Sequence, residues 1–109
     1  MHELALMESL VSAVEEELPT SRIAAVWLEV GKLTCAMPHA MRFCFDVCAR
    51  GTRLEGASLE IVEIEGLARC RACNAEVAIE PPIAACRCGS LDLEVVAGQE
   101  MRVLSVQVV

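Results

Sequence analysis

The 109-residue chain has no tyrosine, one tryptophan and two phenylalanines. A core without aromatic bulk has to be filled by Ala, Val, Leu, Ile, Met and Cys, and the hydrophobic fraction of 55% is ample for that. Positive charge is scarce as well: 9 Lys and Arg stand against 16 Asp and Glu, a net charge of -7. Nucleic-acid binders usually carry a basic footprint, so this balance argues against a phosphate backbone as partner. It favours solubility and leaves cationic or protein partners open. No apolar run approaches the roughly 18 residues that a membrane span needs. Glu3 and Glu8 interrupt the N-terminal stretch, which also lacks the basic start of a signal peptide. The chain is therefore read as cytoplasmic, with no membrane partner, and its length suits one domain with a small satellite module.

What is plentiful is cysteine, with seven residues. In a reducing compartment, closely spaced cysteine pairs more often hold metal than form disulfides, and an odd number fits a disulfide framework poorly.

Hydrophobic spacing gives the order of elements. Leu4, Met7, Leu10, Val11, Val14 and Leu18 recur at three- and four-residue steps, which predicts a helix over residues 3–18 that Pro19 stops. Glu15, Glu16 and Glu17 fall at the negative end of its dipole, a mildly unfavourable place read as a solvated face. Residues 22–30 alternate as a strand, with Ala24, Val26, Leu28 and Val30 on one side and Ile23, Ala25, Trp27 and Glu29 on the other. Pro38 suits the first turn of a second helix, residues 38–50, whose inward stripe is Met41, Cys44, Phe45 and Cys48. Gly51 follows as a left-handed cap. Residues 57–64 form another strand, with a change of phase between Leu59/Ile61 and Val62/Ile64. A last strand runs over residues 103–108.

Between these strands the pattern breaks. Residues 69–90 hold four cysteines, two prolines and three of the nine basic residues, with little periodicity. Cys70-x-x-Cys73 and Cys86-x-Cys88 stand twelve residues apart, a distance at which two turn-borne pairs converge on one tetrahedral ion, as in zinc ribbons. Four thiolates around Zn²⁺ leave a formal charge of about -2, which Arg69, Arg71 and Arg87 beside the ligands would offset. A redox CxxC needs a following helix, and "NAEVAIEPP" forbids one. The C-x-C pair demands a tighter turn than C-x-x-C. Of the other cysteines, Cys44 and Cys48 are read as core, and Cys35, near Met37 and His39, as a loop residue.

Four features occur in one order: an initial Met-His-Glu on an amphipathic helix, "PHAMRFCF", the CxxC…CGS ribbon, and a terminal "EMRVLSVQV". Together they resemble the hydrogenase nickel-incorporation protein family, HypA (HypA/HybF), over essentially the whole chain. The resemblance implies an α+β fold: a three-stranded sheet with two helices as the nickel-binding domain (residues 1–66, completed by 94–109) and an inserted four-cysteine zinc-ribbon module (residues 67–93). It implies a metallochaperone and not an enzyme, one that delivers Ni²⁺ to the large subunit of [NiFe] hydrogenase together with the GTPase HypB. In some bacteria the family also serves urease maturation, through urease accessory proteins.

The matching nickel residue is His2, with the Met1 amine and the backbone nitrogens of His2 and Glu3 as companions. The matching zinc ligands are Cys70, Cys73, Cys86 and Cys88. The family pattern CPxCGS would put the third cysteine at Ala85, one position before Cys86. Chemistry supports His2 separately, because an amine, an amide nitrogen and an imidazole on adjacent residues close fused chelate rings that suit Ni²⁺ or Cu²⁺. The expected assembly is a monomer or weak homodimer. Two other readings remain at this point: a zinc-ribbon adaptor without nickel transfer, which the acidic charge and the lack of aromatics in the ribbon disfavour, and a thiol-redox protein using Cys70 and Cys73.

Overall fold

The computed structural model describes residues 2–80 and 84–109. The elements in chain order are α1 (His2–Glu17), β1 (Ile23–Gly31), a 3-10 turn (Lys32–Thr34), α2 (Pro38–Ala49), β2 (Ser58–Ile64), β3 (Gly66–Cys70), β4 (Glu76–Ile79), β5 (Leu93–Ala97) and β6 (Met101–Val108). They form two three-stranded sheets, ordered β2-β1-β6 and β4-β3-β5. The chain makes two compact units, one of residues 1–28, 36–61 and 103–109, the other of residues 29–35 and 62–102.

The first unit holds most of the core. Met7, Leu10, Val11 and Val14 of α1 are buried, as are Met41, Phe45 and Ala49 of α2 and Val26 and Leu28 of β1. Two details differ from the sequence reading. Leu4 is 44% exposed, so the inward stripe of α1 begins one turn later, at Met7. In α2 the buried positions step strictly by four through Met41, Phe45 and Ala49, which leaves Cys44 and Cys48 half-buried at the margin and not in the core. The two phenylalanines separate accordingly: Phe45 is 1% exposed and Phe43 69%. β1 is the middle strand of its sheet, and Ile23 and Ala25 are buried along with Val26 and Leu28, so both of its faces are covered at that end.

The end of α1 has a partner that its own sequence does not supply. Its last turn carries no basic residue, and the final carbonyls of a helix have no donors within it. Arg53 fills that role from 32 to 38 residues further along the chain. Its guanidinium donates to the carbonyl oxygens of Glu15 (2.7 Å), Leu18 (2.8 Å) and Ser21 (3.0 Å). The positive charge also sits 3.5 Å from the Glu15 carboxylate, which offsets the unfavourable acidic run. Gly51, just past the end of α2, is left-handed with φ of 77°.

In the second unit the stretch that shows little periodicity is itself a sheet. β3 is its centre, antiparallel to β4 with Arg69 opposite Glu76, and antiparallel to β5 with Cys70 opposite Leu93. The alternation is hard to read because the buried side of β3 is Gly66, Ala68 and Cys70, three small residues with little hydrophobic signal. Small size has a structural cause. A Cβ on Gly31 would lie 2.1 Å from the Gly98 carbonyl oxygen, and one on Gly98 would lie 2.6 Å from the Gly66 Cα. Three segments thus meet backbone to backbone, tied by Leu33 N–H to Gly98 O (2.9 Å) and Gly31 N–H to Glu100 O (2.8 Å).

Because the clashing atoms at this junction are backbone, no side chain can move aside. Gly31→Ala and Gly98→Ala should each cost about 2–3 kcal/mol or more, as overpacking does. Gly56→Ala, left-handed at φ of 83° but with nothing within 4 Å of the added carbon, should lose only the conformational term, about 1–2 kcal/mol. Urea unfolding of the three variants would show the ranking. Equal losses would mean that the close approach contributes nothing.

Candidate metal centre

Cys70 ends β3, and Cys73 follows in the turn that leads to β4. Cys86 and Cys88 lie in a second turn ahead of β5, and the pairing of β5 with β3 carries that turn back beside the first. All four sulfurs lie within 4.8 Å of one another. Cys70 Sγ is 3.7 Å from Cys88 Sγ, and Cys73 Sγ is 3.5 Å from Cys86 Sγ. A tetrahedral Zn²⁺ with bonds of about 2.3 Å sets its sulfurs about 3.8 Å apart, so the donor set fits. The same distances are far from the roughly 2.05 Å of a disulfide, and all seven cysteines are free thiols. The Cys70–Cys73 redox reading gains no support from this arrangement.

The two turns are built on one plan at two lengths. In the first, the Cys70 N–H donates to Ala75 O (2.8 Å), the Asn74 N–H returns to Cys70 O (2.8 Å), and Asn74 is left-handed with φ of 64°. In the second, the Cys86 N–H donates to Ser90 O (3.0 Å), the Gly89 N–H returns to Cys86 O (2.9 Å), and Gly89 is left-handed with φ of 94°. Every span is one residue shorter in the second turn. The C-x-C spacing is therefore absorbed by closing a four-residue turn where the first closes a five-residue one, with the left-handed residue directly after the second cysteine in both. Asn and Gly are the residues that adopt this conformation at least cost.

The electrostatics show what the cluster requires. The backbone N–H of Cys73, helped by that of Ala72, holds the Cys70 thiol down to about 6 in spite of its burial, so this sulfur is an anion at neutral pH. Cys73 receives the backbone N–H of Ala75, yet the neighbouring sulfurs of Cys86 and Cys70 push it up to about 11. Cys88 receives the backbone N–H of Ser90 and is nonetheless raised by Cys86 and Cys70. One sulfur ionises readily and its neighbours then resist. A cation among the four removes the resistance. Arg69 and Arg71, read from the sequence as offsets to thiolate charge, are paired elsewhere: Arg69 lies 3.7 Å from Glu76, and Arg71 donates to Asp92 at 2.8 Å. The Arg71 N–H also donates to Asp92 O (3.0 Å), which pins the first turn to the approach of β5. Nothing in the sequence separates Asp92 from other surface acids.

The N-terminal candidates lie in the first unit. His2 opens α1 and its side chain is 56% exposed. The Glu3 carboxylate has one oxygen 3.8 Å from His2 Nδ1, and its other oxygen accepts from the Met37 N–H (3.3 Å) at the start of α2. The backbone N–H of Glu3 itself, followed by that of Met37, holds this carboxyl below its ordinary range. No local pattern could reveal a contact across 34 residues. Met1, expected to supply an amine donor, lies outside the described residues. His39 sits exposed in the first turn of α2 and Cys35 is exposed after the 3-10 turn; neither joins the cysteine cluster.

The family model described as "Hydrogenase/urease nickel incorporation, metallochaperone, hypA" matches residues 1–108. The hydrogenase maturation factor HypA of Nostoc sp. (strain PCC 7120) is 48% identical over 108 residues, covering 99% of this chain and 96% of that protein. The HypA of Azotobacter vinelandii is 44% identical over 112 residues, covering 99% of each. Among solved structures, the solution structure of the Ni metallochaperone HypA from Helicobacter pylori superposes with a TM-score of 0.67 at 20% identity, over 97% of this chain and 96% of that one, a likeness of fold. With the whole length matched and the helix–sheet order and cysteine cluster in place, the chain belongs to the HypA family of nickel metallochaperones that act in hydrogenase maturation.

Proposed function

We propose that this protein binds Ni²⁺ at its N-terminus and delivers it during maturation of [NiFe] hydrogenase, while Cys70, Cys73, Cys86 and Cys88 hold a resident Zn²⁺. The observation that carries the nickel reading is the position of His2. It is exposed at the first residue of α1 in a chain that matches the nickel-incorporation family from its first residue. The N–H groups of a helix's first turn have no acceptor within the helix. Loss of the His2 and Glu3 amide protons to a metal therefore leaves the helical ladder whole, and at Glu3 it gives up the contact of that N–H with its own carboxylate. Together with the His2 imidazole and the Met1 amine the two amide nitrogens form a planar nitrogen set of the kind Ni²⁺ prefers. An exposed His2 suits a cargo ion that must leave again. The sulfur cluster is closed, with no position for an exchanging ligand, which suits a structural ion.

The recipient is the hydrogenase large subunit, with the GTPase HypB as partner and urease accessory proteins as a second route. The sequence holds no phosphate loop and no nucleophile–base pair, so nucleotide hydrolysis belongs to the partner, and the chain works as a carrier in the cytoplasm. Residues 67–93 act as the zinc module.

His2→Ala should abolish nickel binding while leaving the fold and the zinc content intact, since the core stripe of α1 starts at Met7. Residues added before Met1 convert its amine into an amide, a far poorer donor, and should weaken nickel binding; the same residues added after Val109 should not. Affinity should rise with pH as the amine, with a pKa of about 7.7–8.0, and then the amides give up protons. Titration with Ni²⁺, followed by the d–d absorption of a planar site, reads all three. If His2→Ala binds as well as the parent, the site lies elsewhere, and His39 is the next residue to replace.

The zinc assignment has its own check. Elemental analysis should find one zinc per chain and Cys73→Ser should lose it. Amide hydrogen exchange in residues 67–93 should then accelerate while α1 and α2 stay protected, because metal binding supplies folding energy to so small a module. A metal-free protein with seven freely reacting thiols would sink the idea.

A further inference from the structure

The strand β6 leaves one sheet edge open, since among the described residues β1 is its only neighbour in the order β2-β1-β6. Open edges are usually guarded by charge, proline or a bulge. The other edge strand, β2, carries such a guard in Glu60 and Glu63. Residues 103–109, "VLSVQVV", carry no charged side chain in a chain of net charge -7. Pairing alongside β1 continues to the last of them, as Val109 N–H donates to Arg22 O at 2.9 Å. Val103, Leu104, Val108 and Val109 are 40%, 46%, 47% and 87% exposed.

The pattern of this stretch reads the same in both directions about Val106. Apolar and polar positions run apolar, apolar, polar, apolar, polar, apolar, apolar. An antiparallel copy related by a two-fold axis through Val106 would set Val106 against the partner's Val106 and Leu104 against the partner's Val108. Ser105 would face the partner's Gln107, and Val103 the partner's Val109. Every apolar side chain then meets an apolar one and every polar side chain a polar one. Opposed residues also share a sheet face, as antiparallel pairing requires. The partner's Val109 would come beside Val103, which lines a cleft of about 230 Å³ with Ala13, Val14, Glu17, Leu18 and Val106, all apolar but Glu17.

We propose that β6 is a self-association edge, at which two copies of this chain join their sheets through residues 103–109 in the register centred on Val106. Such a contact is isologous and closes on itself, so it stops at the dimer. Seven residues a side is well below the roughly 20–30 of a standard interface, so the dimer is weak and concentration-dependent. The same uncharged edge could accept a strand of another protein, but only a second copy makes use of the two-way pattern.

Sedimentation equilibrium of the full-length, zinc-loaded protein over a micromolar concentration series tests this. The parent should shift from monomer to dimer as concentration rises. Leu104→Lys and Val108→Glu, both at exposed positions, should each weaken the dimer about tenfold or more by opposing a charge to an aliphatic side chain. The double variant L104K/V108E places opposite charges face to face twice and should recover association. Circular dichroism would establish that each variant is folded. A parent that stays monomeric throughout overturns the proposal, as does a dimer that neither single change weakens. A double variant no better than the singles overturns the register.

Discussion

Four sulfur atoms within 4.8 Å of one another cannot all be anions without a cation among them, and the unit that carries them is organised by that demand. Of its described residues, the buried hydrophobic ones are Val30, Ala68, Cys70, Ile79 and Cys86, so two of five are members of the cluster itself. The other unit buries fourteen hydrophobic residues among those described, Phe45, Met7, Leu28 and Met41 included. Domains too small to bury enough apolar surface usually need a metal or disulfides. In the cysteine-bearing unit the sulfurs stand where a hydrophobic core would stand. The pairing of β5 with β3 brings the two cysteine-bearing turns together.

The distribution of the basic residues extends the same economy to the surface. Seven of the nine are engaged with a backbone carbonyl or a carboxylate: Arg22, Lys32, Arg42, Arg53, Arg69, Arg71 and Arg102. Each is used singly, to cap a helix or to tie one element or turn to another. The positive charge is thus dispersed over structural tasks. The surplus of carboxylates remains at the surface, where a cation is the natural visitor.

Much of this organisation is legible in the residues taken in order. Pro19 and Pro38 mark helix boundaries because proline has only certain places in a helix, and α1 and α2 end and begin where those rules put them, within a residue or two. The four clustered cysteines are the four that close spacing selects. What stays hidden shares one physical character: it depends on residues far apart in the chain or on side chains too small to show a period. Gly66, Ala68 and Cys70 are buried through smallness, so β3 reads as loop. Arg53 caps α1 across more than thirty residues. Leu4 fits the apolar period of α1 but lies beyond the part of the helix that is covered, and Cys44 and Cys48 sit on the edge of a stripe whose centre is Met41, Phe45 and Ala49.

The pair Cys86 and Cys88 has a wider consequence for how such turns are recognised. Counting residues between ligands treats C-x-x-C and C-x-C as different objects. Viewed by the path of the backbone they are the same object, since each begins with a cysteine amide bound to a carbonyl beyond the turn and ends on a left-handed residue that reverses the chain. Spacing is then a derived quantity, free to change by one when the closing bond changes with it. The residue that carries the instruction is the one after the second cysteine, Asn74 in one turn and Gly89 in the other, and neither of them offers a ligand to a metal.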